Sequence, residues 1–107
     1  MNHKFRPSVV WITGASRGIG KEIALQFSYL GCKVALSSTG PKDLIFEKKQ
    51  IAKLGGSAEV FPCDLTDEKE VKSAHRAIEK KFGSVNVLVN NAGVTSFNSF
   101  ETTTLNE

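Results

Sequence analysis

Short apolar runs alternate along this chain with amphipathic stretches of about a dozen residues, the rhythm of strands taking turns with helices. Ser8 to Thr13 is a continuous, mostly apolar run of strand length and predicts a buried first strand. After a cluster of glycines, Ile19, Ile23, Phe27 and Leu30 recur at helical spacing and Gly31 closes the stretch, which predicts a first helix carrying those four on its inner stripe. Lys33 to Ser38 reads as a second strand. Pro41 stands where helices start, and Lys42 to Leu54 predicts a second helix with a thinner apolar face of Leu44, Ile51 and Leu54, ended by Gly55 and Gly56. Ala58 to Phe61 is a third short strand. Asp67 is placed as an N-cap with Glu70 as its capping-box partner, ahead of a helix whose Val71, Ala74, Ile78 and Phe82 share one face and which Gly83 stops. Val85 to Val89 predicts a fourth strand, and the polar run from Thr95 to Glu107 completes no element.

Strands separated by helices in this way imply an α/β fold, with a parallel sheet, right-handed crossovers and helices on both faces. A chain of 107 residues is enough for one core, and it holds no repeat, low-complexity stretch or linker, so residues 1–107 read as one domain or part of one. With 40% apolar and 23% charged residues the composition argues against disorder and against a disulfide-framework miniprotein. The net charge of +3 does not change the picture, because the lysines of 42–53 and 69–81 are interspersed with Asp43, Glu47, Glu68, Glu70 and Glu79. Without an unbroken basic track, no nucleic-acid partner is expected.

No apolar run approaches the ~18 residues of a membrane span, and the first eight residues lack the apolar core of a secretory signal. The expected compartment is therefore reducing, the cytoplasm or alternatively the mitochondrial matrix. Cys32 and Cys63 form no CxxC and offer neither a metal cluster nor a redox motif. At the opening of the second strand and the close of the third they fall on the order of 15 Å apart at ~3.3 Å per residue, too far for a disulfide, so both are expected free and buried. His75 on the apolar face of the third helix and Trp11 in the first strand are read as structural, and no metal site is expected.

The segment that carries chemistry is Thr13-Gly14-Ala15-Ser16-Arg17-Gly18-Ile19-Gly20, where the first strand turns into the first helix. Glycine suits such a turn because backbone amides must approach a pyrophosphate closely, and the helix beginning there points free N–H groups and its positive dipole end at the anion. A Walker A loop ending at Gly20-Lys21 is excluded by Ala15 and Glu22, which stand where that loop needs glycine and Ser or Thr. The G-x-G-x-x-G fingerprint fails too, since the glycines run G-x-x-x-G-x-G. This spacing resembles the cofactor turn of the short-chain dehydrogenases/reductases, T-G-x-x-x-G-x-G. Asn90-Asn91-Ala92-Gly93 after the fourth strand matches the N-N-A-G of that family, and Asp64-Leu65-Thr66 after the third matches its adenine-side Asp. Within the family the segments look closest to the 3-oxoacyl-carrier-protein reductases.

The resemblance implies a Rossmann-type doubly wound sheet in which these strands take the order 3-2-1-4. It also implies that Gly14, Gly18 and Gly20 shape the turn, that Ser16, Arg17 and Ile19 line its outer side, and that Asp64 accepts from the adenine amino group with Leu65 against the ring. Asn91, with Ala92 and Gly93 after it, would lie under the cofactor ribose, while Asn90 ties neighbouring strands together. At the end of the second strand, Ser37-Ser38-Thr39-Gly40 holds no acid of the kind that takes the ribose hydroxyls of NAD, and Arg17 is at hand, so NADP(H) is the expected cofactor. Thr39 is placed to donate to the 2′-phosphate. Lys42 adds charge or is simply a solvated lysine at a helix start.

Family members are usually roughly 250 residues long, and their catalytic Asn, Ser and Tyr-x-x-x-Lys would fall beyond the equivalent of Glu107, so no catalytic residue is assigned to this chain. Tyr29 and Lys33 have the spacing but precede the second strand and span the stop at Gly31. With the order 3-2-1-4 the fourth strand is expected to be an exposed apolar edge. Ser99 to Glu107 looks like the start of a helix that in this family packs on a second subunit, so the whole protein is expected to be a homo-oligomer. The reading is an oxidoreductase acting with NADP(H) on a carbonyl substrate, such as a 3-oxoacyl thioester, once its catalytic half is supplied. The alternative is a non-catalytic nucleotide-binding module or inactive fragment.

Overall fold

The structure is a computed structural model that describes residues 8–15, 18–39 and 41–91. The element order is β1 (Val9–Thr13), α1 (Gly18–Tyr29), β2 (Lys33–Ser37), α2 (Pro41–Lys53), β3 (Ser57–Val60), α3 (Glu68–Phe82) and β4 (Val87–Asn90). The strands form one sheet in the order β3-β2-β1-β4, with every neighbouring pair parallel. Val9 pairs with Lys33, Lys33 with Ser57, and Val10 with Val87, so all strands point the same way and end at the same edge.

A parallel sheet is covered on both faces, so its central strands are apolar without alternation. All five residues of β1 are buried, and the pleat divides them. Val10 and Ile12 join Val34, Leu36, Ala24, Leu44 and Ile51 in a core under α1 and α2. Val9 and Trp11 join Ala35, Leu88, Ala74 and Ile78 under α3. Cys32 belongs to the first core and Cys63 to the second, both buried and outside any disulfide, and burial pushes both thiols up from their ordinary values. Trp11 is core, as expected, and the His75 ring stacks nearly parallel on it at 5.8 Å between centroids.

Several details differ from the sequence reading. In α1 the buried positions are Gly20 and Ala24, with Ile23 and Phe27 partly buried, whereas Ile19 is 70% exposed and Leu30 also faces outward. Small residues let the helix lie close on the sheet, which rotates the expected stripe. In α2, Leu54 lies past the helix end and is 65% exposed, and the place between Leu44 and Ile51 is filled by Glu47, only 1% exposed. The capping box is half made. Asp67 accepts from the N–H groups of Lys69 and Glu70 at 3.0 and 3.4 Å, but the Glu70 carboxylate reaches past it to the Asp64 N–H at 2.8 Å. The fourth strand starts at Val87 because Asn86 is engaged by its side chain as well as its backbone. Its Oδ1 accepts from the Val9 N–H at 2.7 Å, and its own N–H donates to the Val9 carbonyl at 2.9 Å.

Among the described residues β4 forms one edge of the sheet, and it is less bare than its composition implies, with Leu88 buried and Val87 and Val89 partly so. The other edge, β3, is guarded by charge. Glu59 takes Lys48 of α2 at 2.9 Å and Lys81 of α3 at 3.4 Å, tying both helix layers round the strand. The Lys48 hydrogen bond is the main reason that the Glu59 carboxyl sits below its ordinary value. No helix among the described residues is long and apolar enough to cross a membrane. The expected helix start at Ser99 to Glu107 lies outside the described residues.

Candidate functional site

Because β1 lies between β2 and β4, the chain leaves it in opposite directions along the sheet, and the carboxyl ends of the strands at such a switch point are where open α/β sheets bind ligands. The segments after all four strands meet there. Gly14, directly after β1, has φ of +70°, a left-handed conformation that a side chain would strain. Its N–H and that of Ala15 both donate to the Ser37 carbonyl, at 2.8 and 3.2 Å, so the turn is hung on the end of β2. Gly20 is buried, and a Cβ there would stand 2.5 Å from the Gly14 carbonyl oxygen and 2.8 Å from Asn91 Nδ2. Gly18 differs from both. It is exposed, a Cβ would meet nothing within 4 Å among the described residues, and its backbone angle does not call for glycine.

Two of the three glycines are thus required by the fold, and the third leaves space at the amino end of α1. The first turn of α1 carries no acidic side chain, so nothing there opposes an anion at its free N–H groups. Ile19 stands exposed beside them. A dinucleotide's pyrophosphate fits these features, with the chain offering backbone donors and an open approach at Gly18.

On the β4 side, the Thr13 hydroxyl donates to Asn90 Oδ1 at 3.0 Å across paired strands, the tie expected of Asn90. Asn91 donates through its N–H to the Thr13 carbonyl at 3.1 Å and through Nδ2 to the Gly14 carbonyl at 3.3 Å, so its side chain lies along the glycine turn. On the other side, Thr39 is exposed just beyond β2, and Ser38 accepts the Cys63 N–H at 3.2 Å, carrying the β2–β3 ladder into the next loop. There Asp64 Oδ1 accepts from the N–H and hydroxyl of Thr66, at 2.9 and 2.6 Å. The Thr66 hydroxyl bond is the main cause that holds the Asp64 carboxyl below the usual carboxylate range. Leu65 is half-buried against the α3-side core.

The structure therefore brings Gly14, Gly18, Ile19, Gly20, Thr39, Asp64, Leu65 and Asn91 to one edge of the sheet. Ser16, Arg17, Ala92 and Gly93 lie outside the described residues. Tyr29 and Lys33 do not join the group: Tyr29 is 79% exposed at the far end of α1, and the Lys33 ammonium lies over the Phe82 ring at 6.0 Å, at the amino end of β2. Sequence reasoning missed Ser37, which supports the turn, and Glu70, which orients the Asp64 backbone. Ser37 has no sequence signal, since its partners Trp11 and Phe61 are remote along the chain, and Glu70, six residues from Asp64, carries the signal of a capping residue instead.

A parallel, doubly wound sheet with a glycine turn at its switch point is a Rossmann-type fold. From residue 8 to residue 107 the chain matches the family model described as short chain dehydrogenase, and it belongs to that family of oxidoreductases. It is 42% identical over 89 residues to the mouse protein named dehydrogenase/reductase SDR family member 7, covering 79% of this chain and 26% of that protein. To the 3-oxoacyl-[acyl-carrier-protein] reductase FabG of Staphylococcus aureus it is 40% identical over 88 residues, covering 81% of this chain and 36% of the other. The crystal structure of a metagenomic short-chain oxidoreductase in complex with NADP superposes with a TM-score of 0.77 at 38% identity, over 81% of this chain and 39% of that one. The chain spans between about a quarter and two fifths of the length of these relatives.

Proposed function

We propose that this chain forms the nucleotide-holding portion of an NADP(H)-dependent oxidoreductase that moves hydride between the nicotinamide and a carbonyl compound such as a 3-oxoacyl thioester. The observation that carries the reading is the meeting, at one sheet edge, of an open glycine turn, an exposed Thr39 and the polar side chains of Asp64 and Asn91. In this reading Gly14 and Gly20 shape the turn, Gly18 and Ile19 admit the pyrophosphate, and Ser16 and Arg17 stand on its outer side. Asp64 takes the adenine amino group through its second carboxylate oxygen, with Leu65 against the ring. Asn91, Ala92 and Gly93 underlie the ribose next to the nicotinamide.

The preference for the 2′-phosphate rests on Ser37, Ser38 and Thr39, where no carboxylate repels it. The bound NADP of the similar metagenomic oxidoreductase supports the choice. When bound, the cofactor supplies the hydride, and the residues described here bind and orient it. The proton donor for the carbonyl belongs to the whole protein rather than to Tyr29. Two buried cysteines outside any disulfide suit the reducing cytoplasm.

Calorimetric titration with NADPH and NADH tests the reading. NADPH is expected to bind at least tenfold more tightly, and Thr39→Asp is expected to reverse the order by repelling the phosphate. Equal or tighter binding of NADH by the unaltered protein overturns it.

A further inference from the structure

We propose that Ser37 is a positioning residue of the nucleotide site, one that aims the adenine-side loop with its hydroxyl while its carbonyl supports the phosphate turn; this rests on the nucleotide-binding reading above. Ser37 closes β2 and is fully buried. Its carbonyl accepts the N–H groups of Gly14 and Ala15. Its hydroxyl accepts the Trp11 indole N–H at 2.8 Å and donates its own proton to the Phe61 carbonyl at 2.6 Å. One residue therefore joins β1 through Trp11, the glycine turn through Gly14, and the segment leading to Asp64 through Phe61.

The direction of the proton matters. An indole N–H is only a donor, so it uses a lone pair of the Ser37 oxygen and leaves the hydroxyl proton to point at Phe61. The Phe61 carbonyl stands three residues before Asp64, in a loop also held by the Phe61 N–H on the Leu36 carbonyl and the Cys63 N–H on the Ser38 carbonyl. Those backbone bonds continue the sheet ladder. The hydroxyl bond is made by a side chain, as is that of the Glu70 carboxylate to the Asp64 N–H further along, and the same Ser37 hydroxyl also bonds the Cys63 thiol. At Phe61 it fixes the tilt of the peptide from the core side. A bland account also exists, in which the hydroxyl serves only to satisfy a buried indole N–H.

Four proteins separate the two accounts: the unaltered one, Ser37→Ala, Trp11→Phe and the double variant. Trp11→Phe removes the donor that Ser37→Ala would leave orphaned, so the double variant contains no unsatisfied indole N–H. Each is titrated with NADPH and with its hypoxanthine analogue, which lacks the adenine amino group, and its thermal midpoint is recorded. If Ser37 aims the loop, Ser37→Ala binds NADPH roughly five- to tenfold more weakly. The double variant is then weaker than Trp11→Phe by a similar factor, and both lose the preference for adenine over hypoxanthine. Ser37→Thr, which keeps the hydroxyl, should restore both. If the double variant binds NADPH as Trp11→Phe does, with the adenine preference intact, the hydroxyl merely satisfies the indole and the proposal fails. If the unaltered protein binds no NADPH, the nucleotide-binding reading itself fails, an outcome distinct from the other two.

Discussion

Asn91 Nδ2 and the α-carbon of Gly20 are so close that a methyl group on Gly20 would stand 2.8 Å from that nitrogen, and 2.5 Å from the Gly14 carbonyl to which the nitrogen donates. The end of β4, the glycine turn and the first turn of α1 are packed against one another through a position that tolerates no side chain. At Gly18, two residues earlier, the same methyl meets nothing within 4 Å among the described residues. Gly20→Ala is therefore expected to cost about 1–3 kcal/mol, read as a lowered thermal midpoint, because backbone rather than a flexible side chain must give way. Gly18→Ala should leave the midpoint nearly unchanged and still weaken NADPH binding several-fold. Equal destabilisation by the two substitutions would mean that both glycines are structural.

Glu47 lies on the inner face of α2 between Leu44 and Ile51, with neither carboxylate oxygen hydrogen-bonded among the described residues. Burial raises its pKa to about 7, against the partial opposition of the Lys21 charge. The folded value is above the unfolded one, so the stabilising neutral form is fully present below about 4.5. Stability is then lost as pH climbs from there through about 7, where the folded state is forced to ionise. The loss across that window is of the order of 3 kcal/mol. Urea unfolding at a series of pH values should show this decline, and Glu47→Gln should flatten it. A chain equally stable at pH 5 and pH 8 would place Glu47 in water.

Asp64 offers a titration without a large stability effect, since its carboxyl is solvated. The Thr66 hydroxyl lowers its pKa, so Thr66→Val is expected to let it rise toward the ordinary carboxylate value. Carbon-detected NMR titration of the Asp64 side chain reads this directly. The small stabilisation from the pair should be present above the ordinary value and fade as pH falls through the lowered one. An unmoved titration would show that Thr66 does not hold the carboxylate in solution.

Cys32 and Cys63 lie in cores on opposite faces of the sheet. Both should react slowly with a disulfide reagent in the native protein, because burial disfavours the thiolate, and rapidly and completely in denaturant without reductant. Peptide mapping after alkylation assigns each thiol. Recovery of a Cys32–Cys63 disulfide from native protein would contradict the strand assignment.

The sequence by itself determined the order and type of the elements, since a continuous apolar run such as Val9 to Ile12 has few other solutions and Gly31, Asp67 and Gly83 mark helix ends through local chemistry. The glycine turn and the positions of Thr39, Asp64 and Asn91 were legible for the same reason: each sits at the end of a strand, and parallel strands end together. Tertiary structure alone decided which face of α1 is buried, because the close approach at Gly20 and Ala24 overrides the larger side chains of Ile19 and Leu30. It alone placed Glu47 in the core, where pattern predicts an apolar residue and only the packing of α2 shows the space taken. It also turned Glu70 from a cap into a ligand of the Asp64 N–H, and Ser37 into a junction of three segments. Hydrogen bonds between residues 24 or 26 positions apart leave no period in a sequence; they exist only once the strands have aligned.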